Sequence, residues 1–244
     1  TSVFAQTFTN WELLLVDDGS TDRSTEVALG YVQRYPERVR YLEHPNHENR
    51  GLAASRNLGL YNSSAEYIAP LDADDVWFPN KLERQVELLT RNPEALMLYG
   101  ASLYWHGWSG EPMDAARDHI VLPGVPVSKV HRPPSLLRLR LRGKASSPCP
   151  SDLLLRREAF RCLGGFEEGF SGIYSVFEDQ AFLAKVFLNA PVYVTGECLD
   201  KYRLHPESLC AVQERDGAMR QIHAFYLKWL ASYLSSRVVA DPSL

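Results

Sequence analysis

Two clusters of acidic residues each close an apolar stretch of the chain. Asp17-Asp18 follows Trp11-Glu12-Leu13-Leu14-Leu15-Val16, and Asp72-Ala73-Asp74-Asp75 follows Glu66-Tyr67-Ile68-Ala69-Pro70-Leu71. Three carboxylates within four residues repel one another. They stay ionised together at neutral pH only if something positive sits among them. A hard divalent cation, Mg²⁺ or Mn²⁺, suits a donor set made wholly of oxygen. Mg²⁺ is commonly held by one or two carboxylates plus substrate phosphates rather than by a closed protein cage. The loop at 72–75 therefore predicts a metal–diphosphate complex, with Asp72, Asp74 and Asp75 as candidate ligands. The alternative is a helix start with capping and solvated acids, and a lone D-x-D does not separate the two. Other chemistries find no motif. There is no P-loop, no G-x-G-x-x-G, no H-E-x-x-H and no G-x-S-x-G. Cys149, Cys162, Cys198 and Cys210 form no C-x-x-C pair, which argues against a zinc ribbon or a redox dithiol.

The elements that must position these acids follow from the pattern. Short apolar runs bounded by turn residues read as buried strands, expected at 11–16, 39–42, 66–71 and 95–104. Between them lie expected helices: one capped by Ser20 or Thr21 and ended by Pro36, one over 51–60 carrying Arg56, and one opened by Pro79 and running to residue 91. Strand and helix alternate through residue 104, which predicts a mostly parallel sheet flanked by helices. In such sheets ligands bind at the carboxyl ends of the strands, where both acidic clusters fall. Residues 105–150 are rich in Gly, Pro and Arg and show weak periodicity. Arg138, Arg140, Arg142 and Lys144 within that stretch form either a solvated face or a patch for an anionic acceptor or a membrane surface. Pattern resumes with a strand at 152–155, helices at 157–163 and 178–188, and a strand at 192–195. In the tail, Ile222, Phe225, Tyr226, Trp229, Leu230, Tyr233 and Leu234 recur at helical spacing, as core, dimer contact or membrane-surface helix. The expected organisation is a nucleotide-sugar-binding half over 1–104, an acceptor-binding and catalytic half over 105–210, and a helical tail over 211–244.

The chain has 244 residues, enough for one elaborated α/β domain. Lys plus Arg is 26 and Asp plus Glu is 30, a formal charge of −4, so no basic footprint for nucleic acid is present. No run approaches the roughly 18 apolar residues of a membrane span, and no charged-then-apolar leader opens the chain. A cytoplasmic setting is expected, with peripheral membrane contact as its variant.

A family resemblance runs through the same residues. Ala5-Gln6-Thr7-Phe8, Trp11-Glu12-Leu13 and Val16-Asp17-Asp18-Gly19-Ser20-Thr21-Asp22 resemble the opening of family 2 glycosyltransferases, which have the GT-A fold. Asn49 and Gly51-Leu52-Ala53-Ala54-Ser55-Arg56-Asn57-Leu58-Gly59 resemble the family's N-x-G and A-R-N-x-G segment. Tyr67 to Asp75 resembles its D-x-D strand. Leu163-Gly164-Gly165-Phe166, Phe177-Glu178-Asp179 and Tyr202-Arg203-Leu204-His205-Pro206 resemble its G-G-F, E-D and Y-R-x-H-P elements. These motifs occur in the family's order over about residues 3 to 210. One departure stands out: the strand and P-x-Y-N turn that open family members are missing, so this chain is expected to start inside the helix that follows them.

The resemblance implies an inverting transfer of sugar from a nucleotide-diphosphate donor, UDP-linked, to a hydroxyl acceptor. It implies that Asp17, with Asp18 beside it, contacts the nucleoside, that Arg56 lies near the base or phosphates, and that Asp72 and Asp74 bind Mn²⁺ or Mg²⁺. Asp179 then resembles the catalytic base, with Glu178 orienting the loop or touching the acceptor, and Arg203 and His205 lie near the diphosphate. Gly164-Gly165 would allow close backbone approach beside the acceptor, and Trp105, Trp108 and Tyr174 are candidates for stacking on sugar rings. Two rival readings are a nucleotidyltransferase acting on a sugar phosphate and a non-catalytic module that keeps the fold.

Overall fold

A computed structural model describes residues 2–236. In chain order the elements are β1 (Leu13–Asp17), α1 (Ser24–Arg34), β2 (Val39–Glu43), α2 (Leu52–Asn62), β3 (Tyr67–Ile68), β4 (Val76–Trp77), α3 (Lys81–Arg91), β5 (Met97–Trp105) and α4 (Pro112–Ala115). They continue with β6 (His119–Val121), β7 (Lys129–His131), α5 (Ser135–Leu141), β8 (Leu154–Arg156), α6 (Arg157–Leu163), α7 (Glu178–Asn189), β9 (Val192–Arg203), α8 (Leu209–Arg215) and α9 (Met219–Ser235). Helices α8 and α9 span residues 209–215 and 219–235, and residues 237–244 of the expected tail lie outside the described residues.

The sheet is mixed rather than mostly parallel. β1 and β2 pair in parallel as a two-stranded sheet of their own, Leu13 opposite Val39 through Asp17 opposite Glu43. The larger sheet runs β3-β8-β5-β9-β4, with β6 on β5 and β7 on β9. Within it, among the described residues, only β5 and β9 are parallel. The expectation rested on strand–helix alternation, which describes the chain only to residue 104. The short strands β6, β7 and β8 come after it, and β3 and β4 find their partners on the later strands β8 and β9 rather than beside β1. Short strands returning onto a neighbour form antiparallel ladders, whereas parallel pairing needs a long crossover.

Other boundaries move for local reasons. Residues 2–5 form a turn rather than a helix. α1 begins at Ser24 behind Arg23, without a side-chain cap from Ser20 or Thr21; the Asp22 carboxylate accepts from the Ser24 N–H at 2.9 Å instead. The strand expected over 66–71 is paired only at Tyr67–Ile68, and Pro70 precedes an open acidic loop. β9 extends eight residues past its expected end, to Arg203. The register of β5 and β9 shifts on both sides of Ala101. Beside it a Cβ on Gly100 would stand 2.5 Å from the Glu197 carbonyl oxygen, so this irregular crossing admits no side chain.

The main core lies where α7 covers β5 and β9. Phe182, Val186 and Phe187 pack with Met97, Tyr99, Val192 and Val194, all 2% exposed or less. Burying each such side chain contributes about 1.5–3 kcal/mol relative to exposure. α9 closes this core from outside through Leu230, with Tyr226 and Trp229 partly buried against it, so the aromatic stripe of the tail is core. Tyr174 stacks on Phe225 of α9 with ring centroids 4.1 Å apart. No helix among the described residues is long and apolar enough to cross a membrane. All four cysteines are free.

Candidate active site

The acidic loop after β3 distributes its three carboxylates to three different environments. Asp72 Oδ1 accepts from Arg56 Nη2 at 2.5 Å. Asp74 is the most open, with its side chain 45% exposed, and its Oδ2 stands 3.2 Å from His205 Nε2. Asp75 is turned inward: its Oδ2 accepts from the Ser151 hydroxyl at 2.6 Å and its Oδ1 from the Arg203 N–H at 2.8 Å. Burial pushes its carboxyl up to about 7 against those two hydrogen bonds. Asp75 therefore locks the loop to β9, and neither caps α3 nor offers an open oxygen.

Arg56, on the inner face of α2, joins this loop to the E-D element. Its guanidinium pairs with Asp72 on one side and with Glu178 on the other, and it lies 5.4 Å from the Phe166 ring centroid. Glu178 is 1% exposed, so its charge is matched by Arg56 in low dielectric rather than by water. Asp179 follows in the first turn of α7, where free N–H groups and the helix dipole favour an anion. Its Oδ1 accepts from the Gln180 N–H at 2.7 Å and its Oδ2 from Gln180 Nε2 at 3.0 Å. Burial nevertheless dominates and pushes this carboxyl up, against the pull of Arg56 and Gln180.

The carboxyl end of β9 supplies the cationic wall. Arg203 Nε donates to the Asp74 carbonyl at 2.6 Å. Its guanidinium carbon lies 5.0 Å from the Trp105 ring centroid and 5.1 Å from that of Trp108, so the two indoles hold it in place. Trp108 in turn donates from Nε1 to the Leu204 carbonyl at 2.8 Å. Trp105 and Trp108 are thus packed around a cation in this structure, and Tyr174 lies against α9.

Asp17 and Asp18 sit at the end of β1 and act first on their own loop. Asp17 is buried and accepts from Ser20 N–H at 2.8 Å, Thr25 hydroxyl at 2.5 Å and Tyr41 hydroxyl at 3.0 Å. Burial works to raise its carboxyl, but those donors together hold it well below the usual range. Asp18 accepts from the Arg50 and Gly51 N–H groups at 2.7 and 2.9 Å and so fastens the start of α2. Close packing of the two loops excludes any side chain at Gly19, whose Cβ would lie 2.8 Å from the Asn49 nitrogen.

Several residues of the site carry no sequence motif. Ser151 accepts from the Asp72 N–H at 3.0 Å while donating to Asp75. Asn57, by contrast, belongs to the A-R-N-x-G segment, and it clamps the G-G-F turn, accepting from the Phe166 N–H at 2.7 Å and donating to its carbonyl at 3.0 Å. Gly165 packs there against the Asn57 side chain, whose amide leaves no room for a Cβ. Lys185, Gln180 and Ser147 carry no motif either, and Arg140, expected on a solvated face or an anion- or membrane-binding patch, reaches inward to Gln180 instead. Among the described residues no three His, Cys, Asp or Glu side chains converge tightly enough to hold an ion by themselves. The open Asp74 oxygens with His205 beside them do fit a divalent cation completed by diphosphate oxygens.

An acidic loop, the Glu178–Asp179 turn and a cationic wall thus meet beside an α/β sheet. The sequence profile of glycosyl transferase family 2 matches residues 1–164, and the chain belongs to that family. EpsE of Bacillus subtilis, named as a glycosyltransferase, is 30% identical over 212 residues, covering 76% of this chain and 69% of its own length. The Escherichia coli UDP-Glc:alpha-D-GlcNAc-diphosphoundecaprenol beta-1,3-glucosyltransferase WfgD is 39% identical over 99 residues, 41% of this chain and 37% of its own. The mannosyltransferase PcManGT of Pyrobaculum calidifontis, solved in complex with GDP-Man and Mn²⁺, superposes with a TM-score of 0.61 at 16% identity, over 99% of this chain and 60% of its own. The chain thus spans less than two thirds of the latter two proteins. This likeness shows that the fold is GT-A.

Proposed function

We propose that this glycosyltransferase moves a sugar from a UDP-linked donor to a hydroxyl acceptor by a single, metal-assisted displacement with inversion. The observation that carries the reading is Arg56, whose one guanidinium pairs with Asp72 of the acidic loop and Glu178 of the E-D element. It draws together the loop suited to a diphosphate and the helix start that bears Asp179.

Asp179 is the base. A sugar hydroxyl is a poor nucleophile until its proton is accepted as the new C1–O bond forms. Asp179 Oδ takes that proton while the bond from C1 to the diphosphate oxygen breaks on the opposite face, which inverts the anomeric carbon. A carboxyl raised by burial keeps the proton better than a solvated one would, which suits the task. Glu178 orients this turn through Arg56. Arg203 and His205 face the departing diphosphate, and the Asp17–Asp18 turn faces the nucleoside. Asp74, with Asp72 and His205 near it, would hold Mn²⁺ or Mg²⁺. That ion, when bound, supplies charge neutralisation for the leaving nucleoside diphosphate. Residues 105–210 shape the acceptor side, and a lipid-linked acceptor like the one in WfgD's name would bring the chain to a membrane surface.

The test is UDP release from UDP-sugars with Mn²⁺ in the wild type, Asp74→Ala and Asp179→Asn. Both variants should lose turnover, with Asp179→Asn still binding UDP and Mn²⁺. Equal turnover in all three proteins overturns the reading.

A further inference from the structure

The arginines between β7 and β8 find no role in the reaction outlined above, yet one of them reaches the residue next to the base. Arg140 of α5 sends Nη2 to Gln180 Oε1 at 2.7 Å and Nη1 to the Ala145 carbonyl at 2.9 Å. Gln180 Nε2 donates to Asp179 Oδ2 at 3.0 Å and to Ser147 Oγ at 2.7 Å. The Ser147 hydroxyl also lies 2.9 Å from Gln180 Oε1.

The donor and acceptor inventory leaves one arrangement. A guanidinium can only donate and a carboxylate can only accept. Turning the Gln180 amide over would set its NH₂ against Arg140 and its carbonyl oxygen against Asp179, two mismatches at once. Ser147, which can do either, tolerates both orientations and so decides nothing alone. Arg140 therefore fixes the amide, and the amide presents its N–H to the carboxylate.

We propose that Gln180, oriented by Arg140 from α5, is a positioning residue for Asp179, holding its carboxylate in the rotamer that faces the acceptor. The proposal rests on the reading of Asp179 as the base. Residue 180 grips both carboxylate oxygens, one through its main-chain N–H and one through its side chain. Hydrogen bonds donated to the charged form offset the burial that otherwise favours the protonated acid. Other charged and titratable groups around Asp179 come from every neighbouring element. These are Arg56 on α2, Asp72 in the acidic loop, Glu178 on α7, Tyr104 on β5, Cys210 on α8 and Tyr226 on α9. A change at 180 or 140 removes none of them, although Arg140 also acts through space on Tyr226.

The experiment follows the Asp179 carboxyl by carbon-13 NMR titration of the full chain, with Asp179→Asn identifying the resonance. Gln180→Met keeps side-chain length but removes the donor, and its midpoint should rise by about one pH unit. Arg140→Met frees the amide to turn and should raise it as well, whereas Arg140→Lys, still a donor, should restore the wild-type value. An unchanged midpoint in Gln180→Met overturns the proposal. Should that variant not fold, an equal midpoint in Arg140→Met and Arg140→Lys does so. Turnover in Asp179→Asn would instead overturn the parent reading, so the two failures are distinct.

Discussion

The Asp75 carboxylate accepts the main-chain N–H of Arg203 at 2.8 Å, across 128 residues of chain. This bond, with the one from Ser151, makes Asp75 a structural link between the acidic loop and β9. Asp75→Asn sets an amide N–H against one of two donors. It should lose about 1–3 kcal/mol in urea unfolding. Asp74→Asn, at an open site, should stay within about 0.5 kcal/mol of wild type. Mn²⁺-dependent UDP binding should show the reverse order, with the greater loss in Asp74→Asn. Equal loss of binding in both would give Asp75 a ligand role.

Arg56→Met strands Glu178 in a site only 1% open to water. Removing one partner of a buried ion pair costs about 3–5 kcal/mol. The double variant Arg56→Met/Glu178→Met should recover a large part of that loss. A double-mutant cycle in chemical denaturation measures it, and additive losses would mean that the pair is not coupled.

Asp17 gives a pH dependence of known sign. Its folded-state carboxyl lies below its unfolded value, so its stabilising contribution is complete above pH about 4. That contribution is lost as pH falls from there toward the lower folded value. The stability difference between wild type and Asp17→Asn should therefore be larger at pH 7 than at pH 3, by urea unfolding at each. A constant difference would show that the Ser20, Thr25 and Tyr41 bonds do not favour the ionised form.

Gly165→Ala drives a methyl into the Asn57 amide, which grips Phe166 at both its N–H and its carbonyl. Breaking that clamp should cost about 1–3 kcal/mol, at roughly 2–4 °C in Tm per kcal/mol for a chain of this size. Thermal unfolding checks it, and Gly165→Ala combined with Asn57→Ala should recover part of the loss.

The parts of the site legible in the sequence were those set by local rules. Acids after apolar runs, Pro79 ahead of a helix, and the E-D pair opening α7 were all visible because turn chemistry and periodicity act over a few residues. The sheet was less legible, because strands as short as Tyr67–Ile68 and Val76–Trp77 are defined by distant partners on β8 and β9 rather than by their own pattern. The division of labour among Asp72, Asp74 and Asp75 was also hidden. It depends on Arg56, Ser151 and Arg203, which lie 16, 76 and 128 residues from their partners. Arg140 misled in the same way: among neighbouring arginines its inward turn is fixed by Gln180, 40 residues on.

The separate β1–β2 pair has a consequence for how the molecule opens. Among the described residues no ladder stitches it to the larger sheet, and α1 buries none of its side chains. Asp18 fastens this layer to α2, and α2 alone carries Arg56 to the acidic loop. Amide exchange should therefore find two zones of protection, the amino-terminal one weaker. A ligand spanning the Asp18 turn and Asp74 would weld the two into one melting unit.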